Sequence, residues 1–174
     1  IRALSRELLA RGETLMWWGN IRFEKAFTPA LARTMAAAGC VAVTGGLECA
    51  NDRLLALMNK GVTLRQAEQA CQAFAQAGIL VHAYLIYGFP TQTRAELLAA
   101  LDFVRRLFAR GLLHSAYWHR FALTCHSPVF ARAAELGIRP RPTTAAFARN
   151  EVPYREPGAP DHDALGEALR TATF

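Results

Sequence analysis

Residues 33–46 read RTMAAAGCVAVTGG, and this stretch decides the fold. An alanine-rich helical segment runs to Gly39. An apolar, β-branched run starts at once and closes on Gly45 and Gly46. A glycine just past a helix ends it in the left-handed conformation that other residues resist. The same order recurs at 6–23 (RELLARGETLMWWGNIRF), 73–88 (AFAQAGILVHAYLIYG) and 108–123 (FARGLLHSAYWHRFAL), with Gly12, Gly78 and Gly111 in the place of Gly39. Strands alternating with helices imply βαβ units, right-handed crossovers and a parallel sheet.

The helices carry start signals. Thr28-Pro29 supplies an N-cap followed by proline at the first helical position. Thr63 with Gln66, and Thr93 with Glu96, have capping-box spacing. From Thr93 to Arg110, Leu97, Leu98, Leu101, Val104, Leu107 and Phe108 form an apolar stripe, with Arg105, Arg106 and Arg110 on a solvated back face. The helix from Thr63 to Ala77 buries Leu64, Ala67, Cys71 and Phe74 in the same way. The strands, near 14–23, 40–46, 79–87 and 114–123, are apolar with little alternation, which predicts cover on both faces. A closed eight-unit barrel takes roughly 250 residues, so 174 suit a partial (β/α) barrel or an open sheet. The class is α/β, with about four βα units over residues 1–138. Residues 139–174 read as an extension: a proline-rich segment with Pro140, Pro142, Pro153, Pro157 and Pro160, then a short helix from Asp161 to about Thr171.

Composition narrows the class. An apolar content of 52% suffices for a sizeable core. A formal charge of +6 does not require a nucleic-acid partner. The four cysteines, Cys40, Cys49, Cys71 and Cys125, form no CxxC pair, and Cys40 and Cys71 read as buried thiols. Nothing suggests secretion, so a reducing cytoplasm is the default. No apolar run approaches the roughly 18 residues of a membrane helix.

In parallel α/β folds, ligands bind beyond the carboxyl ends of the strands. Here those ends carry Asn20, Arg22 and Glu24; Thr44, Gly45, Gly46 and Glu48; Tyr87, Gly88 and Pro90; and His119, Arg120 and Thr124. Four polar strand ends on one rim mark a site without naming a reaction. From the residues alone, Glu48 is a ligand-binding acid, a helix-start acid or a solvated loop residue. His82 reads as a hydrogen-bonded core residue, and Trp17-Trp18 reads as core. The chain has no GxGxxG after a strand, no phosphate loop, no GxSxG elbow and no HExxH helix.

Four stretches then resemble consecutive units of one family. GGLECANDRLLALMNKGVT (45–63) has a glycine-rich strand end, an acid, a short helix and Lys-Gly. AGILVHAYLIYGFPTQT (77–93) has an aliphatic strand, then Gly-Phe-Pro and a turn. WWGNIRFEKAFTPALARTMAAAGC (17–40) precedes them and FALTCHSPVFARAAELGI (121–138) follows. Together they resemble the third to sixth units of radical S-adenosylmethionine (radical SAM) enzymes, in order, from about Leu15 to Ile138. The branch they most resemble is that of Fe–S oxidoreductases with a cobalamin-binding domain.

The resemblance implies a barrel of about six βα units, S-adenosylmethionine, a [4Fe–4S] cluster, and a 5′-deoxyadenosyl radical formed when the reduced cluster cleaves the cofactor. It leaves room for cobalamin and implies a reductant such as a flavodoxin or ferredoxin. Carried over by position, Glu48 is the acid near the cofactor's ribose or amino-acid end. Arg53 or Lys60 meets the cofactor carboxylate, Gly88 and Pro90 approach adenine, and Arg22 and Arg120 are rim residues without a role.

The chain also departs from the family. It has no CxxxCxxC triplet and no first or second strand. Cys49 stands where serine is usual, and Thr91 and Gln92 stand where glycine and an acid are usual. The expectation is therefore the back part of a longer enzyme, inactive alone, with its cluster ligands elsewhere. Two alternatives remain: another parallel α/β barrel enzyme using Glu48 as acid or base, and a barrel scaffold without catalysis.

Overall fold

A computed structural model of the protein describes residues 1–141 and 150–173. The order is α1 (Arg2–Arg11), β1 (Trp17–Ile21), α2 (Pro29–Ala37), β2 (Cys40–Glu48), α3 (Asp52–Leu57), α4 (Leu64–Gln76), β3 (Leu80–Tyr87), α5 (Arg94–Ala109), β4 (Ser115–Arg120), α6 (Pro128–Ala131), β5 (Arg139–Pro140), β6 (Tyr154–Arg155) and α7 (His162–Thr173). Strands β1 to β4 form one parallel sheet in sequence order. This is the expected α/β partial barrel.

The start and stop signals act as read. Thr28 Oγ1 accepts from Leu31 N, and both capping boxes form, at Thr63–Gln66 and Thr93–Glu96. Gly12, Gly39, Gly78 and Gly111 all have positive φ where their helices stop. The Pro142 position and the rest of 142–149 lie outside the described residues. On either side of them, β5 and β6 pair antiparallel. The last helix docks: Trp118 Nε1 donates to Thr173 Oγ1 at 2.9 Å, and Gly166 lets the Tyr87 hydroxyl approach the α7 backbone.

One expectation fails. The strands are covered by helices on one face only. Val43, Val81, Ala83, Leu85 and Trp118 point into a core with Met35, Phe74, Val104 and Leu107. Trp18 (67% exposed), Leu80, Tyr84 (45%) and Tyr117 (49%) point the other way, into the open. The reason is topological. Every crossover helix lies on the same side of the sheet, as right-handed βαβ units stepping in one direction require. The other face is the inside wall of a barrel that four strands cannot close. Trp18 is therefore not core, whereas Trp17 is half-buried and donates to Ala38 O at 2.7 Å. His82 is also displaced from the core. It sits half-buried on the open face, its Nδ1 2.7 Å from Ser115 Oγ.

This asymmetry predicts unequal truncation costs. Phe74→Ala, at a fully buried ring, lowers unfolding free energy by about 3–5 kcal/mol. Leu80→Ala, on the open face, costs under about 1 kcal/mol. Urea denaturation of the two variants measures the difference.

Candidate functional site

The end of β2 is where the rim is built. Gly45 faces the core. A Cβ there would lie 2.5 Å from the ring of Phe23, which is fully buried at the end of β1. Gly46 faces the open side, and a Cβ there would lie 2.4 Å from Glu48 Oε1. The register with β3 then slips between Gly46 and Glu48, so Leu47 is the extra residue of a bulge. Glu48 takes φ 54 and Ala50 φ 42, in a region that non-glycine residues enter rarely and at a cost. The bulge and the strained backbone fold the carboxylate back over Gly46, onto the open face.

One cation meets it there and a second lines the same cavity. Lys60 Nζ lies 2.8 Å from Glu48 Oε1. The Arg22 guanidinium donates to the Lys60 carbonyl and lies 3.7 Å from Glu24. Arg22, Gly46, Glu48 and Lys60, with Val62, line a cavity of about 220 Å³. Glu48 is thus a rim acid paired to a lysine rather than a helix-start acid. The cap of α3 is Asn51, whose side chain accepts from Leu54 N.

The other expected residues stand apart from this cluster. Arg53 forms a bidentate pair with Glu96 at 2.6 and 2.8 Å and donates to Thr91 O at 2.9 Å, which ties α3 to the start of α5. Its donors are committed within the fold. This guanidinium, with added hydrogen bonds from Thr93, overcomes burial and holds the Glu96 carboxyl down to about 2. Gly88, at φ 71, and Pro90 are buried in the turn after β3, and the His162 ring lies against Gly88. Arg120 is exposed and reaches Asp163 at 3.4 Å.

Sequence reasoning missed the open face itself. Asn20, Thr44, His82 and Ser115 stand in one register row across all four strands. Above them, Tyr84, His119 and Tyr117 cluster with ring centroids 4.6–5.3 Å apart. Burial lowers the His82 pKa, and nearby His119 lowers it further. The signal was present as His82-x-Tyr84 and Ser115-x-Tyr117-x-His119, polar or aromatic groups at period two within apolar strands.

Three of the four thiols do not suit an iron–sulfur cluster. Cys40, Cys49 and Cys71 are buried. Burial pushes Cys40 up to about 11 and Cys71 up to about 12. Burial, then Glu48 and Glu96, push Cys49 higher still. Cluster ligands are thiolates, and these positions favour the protonated thiol. Among the described residues no group of three or more His, Cys, Asp or Glu side chains is placed to hold a metal.

The profile of the Radical SAM superfamily matches residues 20–104, from the end of β1 into α5. An uncharacterized methyltransferase of Pyrococcus horikoshii is 30% identical over 104 residues, which are 60% of this chain and 22% of that protein. An uncharacterized protein of Methanopyrus kandleri is 40% identical over 69 residues, 40% of this chain and 13% of its own length. The chain therefore spans under a quarter of these curated relatives.

Among solved structures, the radical S-adenosylmethionine methyltransferase TsrM of Kitasatospora setae, with cobalamin and a [4Fe–4S] cluster bound, superposes with a TM-score of 0.65 at 19% identity. The match covers 98% of this chain and 39% of that one. The cobalamin-dependent S-adenosylmethionine radical enzyme OxsB aligns with a TM-score of 0.54 at 21% identity, over 64% of this chain and 17% of its own. In the first of these matches the likeness of fold covers 98% of the chain. Among the described residues no helix is long and apolar enough to cross a membrane.

The Arg53–Glu96 clamp gives a pH prediction. Glu96 is depressed in the folded state, so its contribution is present above about 4.5 and is lost as pH falls toward about 2. Arg53→Ala flattens this part of the stability–pH curve without abolishing it, because Thr93 still hydrogen-bonds the carboxylate. Urea midpoints of both proteins between pH 2 and 6 measure it.

Proposed function

We propose that this chain is the back part of the core of a radical S-adenosylmethionine Fe–S oxidoreductase, and that its rim holds the cofactor's ribose and amino-acid end. The observation that carries this reading is the Glu48–Lys60–Arg22 cluster. It places an acceptor carboxylate and two cations at the end of β2, beside an open polar strand face, within a stretch that matches the superfamily. A carboxylate accepts two hydroxyl hydrogen bonds from a ribose diol. An ammonium or guanidinium balances the amino-acid carboxylate, and a guanidinium matches it in bidentate geometry. The residues fit S-adenosylmethionine in this respect.

In this reading Glu48 orients the ribose, and Lys60 moves from Glu48 to the ligand carboxylate or bridges the two. Arg22 holds the Lys60 loop through its carbonyl. Arg53 acts indirectly, by fixing the turn that carries Gly88 and Pro90, which remain the adenine side of the site. Arg120 remains a rim residue over α7 with no assigned contact. The open face, with Asn20, Thr44, His82, Tyr84 and Tyr117, lines the space where a substrate sits and from which water is excluded.

Bound S-adenosylmethionine supplies, in radical SAM enzymes, the group whose cleavage starts hydrogen abstraction. In this reading the ligands of the cluster that drives this lie outside this chain, which has no CxxxCxxC triplet. Residues 1–138 supply the barrel wall and 139–174 the extension that packs α7 onto β4. Cobalamin, a flavodoxin- or ferredoxin-like reductant and a cytoplasmic site belong to the whole enzyme in this reading.

Two measurements test it. Isothermal titration of the chain with S-adenosylhomocysteine shows saturable binding, and Glu48→Gln weakens it about 10- to 100-fold, the range for a lost charged hydrogen bond. Wild-type chain that does not bind, or a Glu48→Gln variant that binds equally well, overturns the assignment. Anaerobic reconstitution of this chain with iron and sulfide yields no four-iron absorbance band; appearance of one contradicts the placement of the cluster ligands elsewhere.

A further inference from the structure

Beyond the end of β4, where Arg120 turns toward α7, the returning segment 151–156 bounds a cavity of about 310 Å³. That is the small end of ligand sites, for which roughly 300–1,000 Å³ is usual. The returning segment is anchored at both ends. Glu151 bridges Thr124, Val152 N donates to Leu123 O at 2.7 Å, and Tyr154 of β6 pairs with Pro140 of β5.

Three charged side chains line it, Arg120, Glu151 and Glu156. All three can be reached from solvent: Arg120 and Glu151 are exposed and Glu156 is half-buried. They also converge. Burial raises the Tyr154 pKa, Glu156 and Glu151 raise it further, and Arg120 opposes them, so one hydroxyl on the wall feels all three charges. Neither glutamate has an ion-pair partner among the described residues. Arg120 has one, Asp163 at 3.4 Å, and that carboxylate is 92% exposed. An exposed pair of this kind contributes little, so the guanidinium is available to a better-placed anion.

The charges select the ligand class. A lone carboxylate would meet the two glutamates, and a lone amine would meet Arg120. A ligand carrying both signs satisfies all three. Beside the charges, Phe121 and Tyr154 form a T-shaped ring pair with centroids 6.1 Å apart, which offers apolar surface. We propose that this cavity binds a small zwitterion with an apolar body, its ammonium and carboxylate on one carbon as in a free α-amino acid. The carboxylate takes the Arg120 guanidinium in place of Asp163, the ammonium lies toward Glu151 and Glu156, and the body packs on Phe121 and Tyr154. The lining shares no residue with the Glu48 cavity and includes neither Gly88 nor Pro90. The site therefore stands apart from the cofactor rim and does not depend on that reading.

The probe is free leucine, titrated calorimetrically into the full chain. The expected result is saturable binding. Isoamylamine, which lacks the carboxylate, and isocaproate, which lacks the ammonium, bind at least about tenfold more weakly, as loss of a charged contact requires. Arg120→Gln weakens leucine by the same factor, and so does the pair Glu151→Gln and Glu156→Gln in one chain, with the circular dichroism spectrum unchanged. S-adenosylhomocysteine carries the same zwitterion and shows which site is read. Glu48→Gln weakens it and leaves leucine unchanged, whereas Arg120→Gln does the reverse. Leucine binding without S-adenosylhomocysteine binding sinks the rim assignment and upholds this one. Absence of saturable leucine binding overturns the proposal. So does equal binding of isoamylamine or isocaproate, or undiminished binding by Arg120→Gln. Weakening of both ligands by Arg120→Gln also overturns it, because the cavity would then belong to the cofactor site.

Discussion

Phe23 lying against Gly45 is the contact on which the rim depends. A full Phe burial stabilises by about 1.5–3 kcal/mol, and here it is available only because residue 45 has no side chain. The contact locks the chain leaving β1 to the end of β2. It thereby brings Arg22, next to Phe23, beside Lys60, which returns from α3. Gly46 does the matching service on the other face, where it leaves room for Glu48 to fold back. Two adjacent glycines serve opposite sides of one strand, because side chains alternate at period two.

The sheet divides the molecule by chemistry. Its helix face is apolar and closed by α2, α4, α5 and α7. Its other face carries amides, hydroxyls, imidazoles and phenols in register rows. Such a face is unsuited to packing against a helix and suited to lining a wet or ligand-filled space. The polar rim and the polar face are continuous through Glu48, so in the proposed reading the cofactor and the substrate share one wall. Arg53 and Glu96 buttress that wall by joining α3 to α5.

Much of this was legible in the sequence, and the reasons differ by element. The helix boundaries were readable because caps are local. Thr63, Thr93 and the C-terminal glycines act within a few residues of themselves. The parallel sheet was readable from the alternation of helix and strand. The open face was not, because its period-two signal at His82, Tyr84, Ser115, Tyr117 and His119 lies within otherwise apolar strands. The role of Arg53 was not either. Its partner Glu96 lies 43 residues away, and a basic residue near a strand end reads equally well as a ligand contact.

By itself the sequence determined the order and the ends of the elements, the parallel α/β class and the radical SAM likeness of 20–104, because these follow from short-range propensity and from motifs contiguous in the chain. Only the tertiary structure decided which strand face stays open, that Glu48 meets Lys60 and Arg22 the Lys60 carbonyl while Arg53 is spent on Glu96, and that His162 closes over Gly88. Those outcomes depend on where the fold places residues 12 to 74 positions apart. Loop-closure and packing geometry set such distances, and no local pattern encodes them.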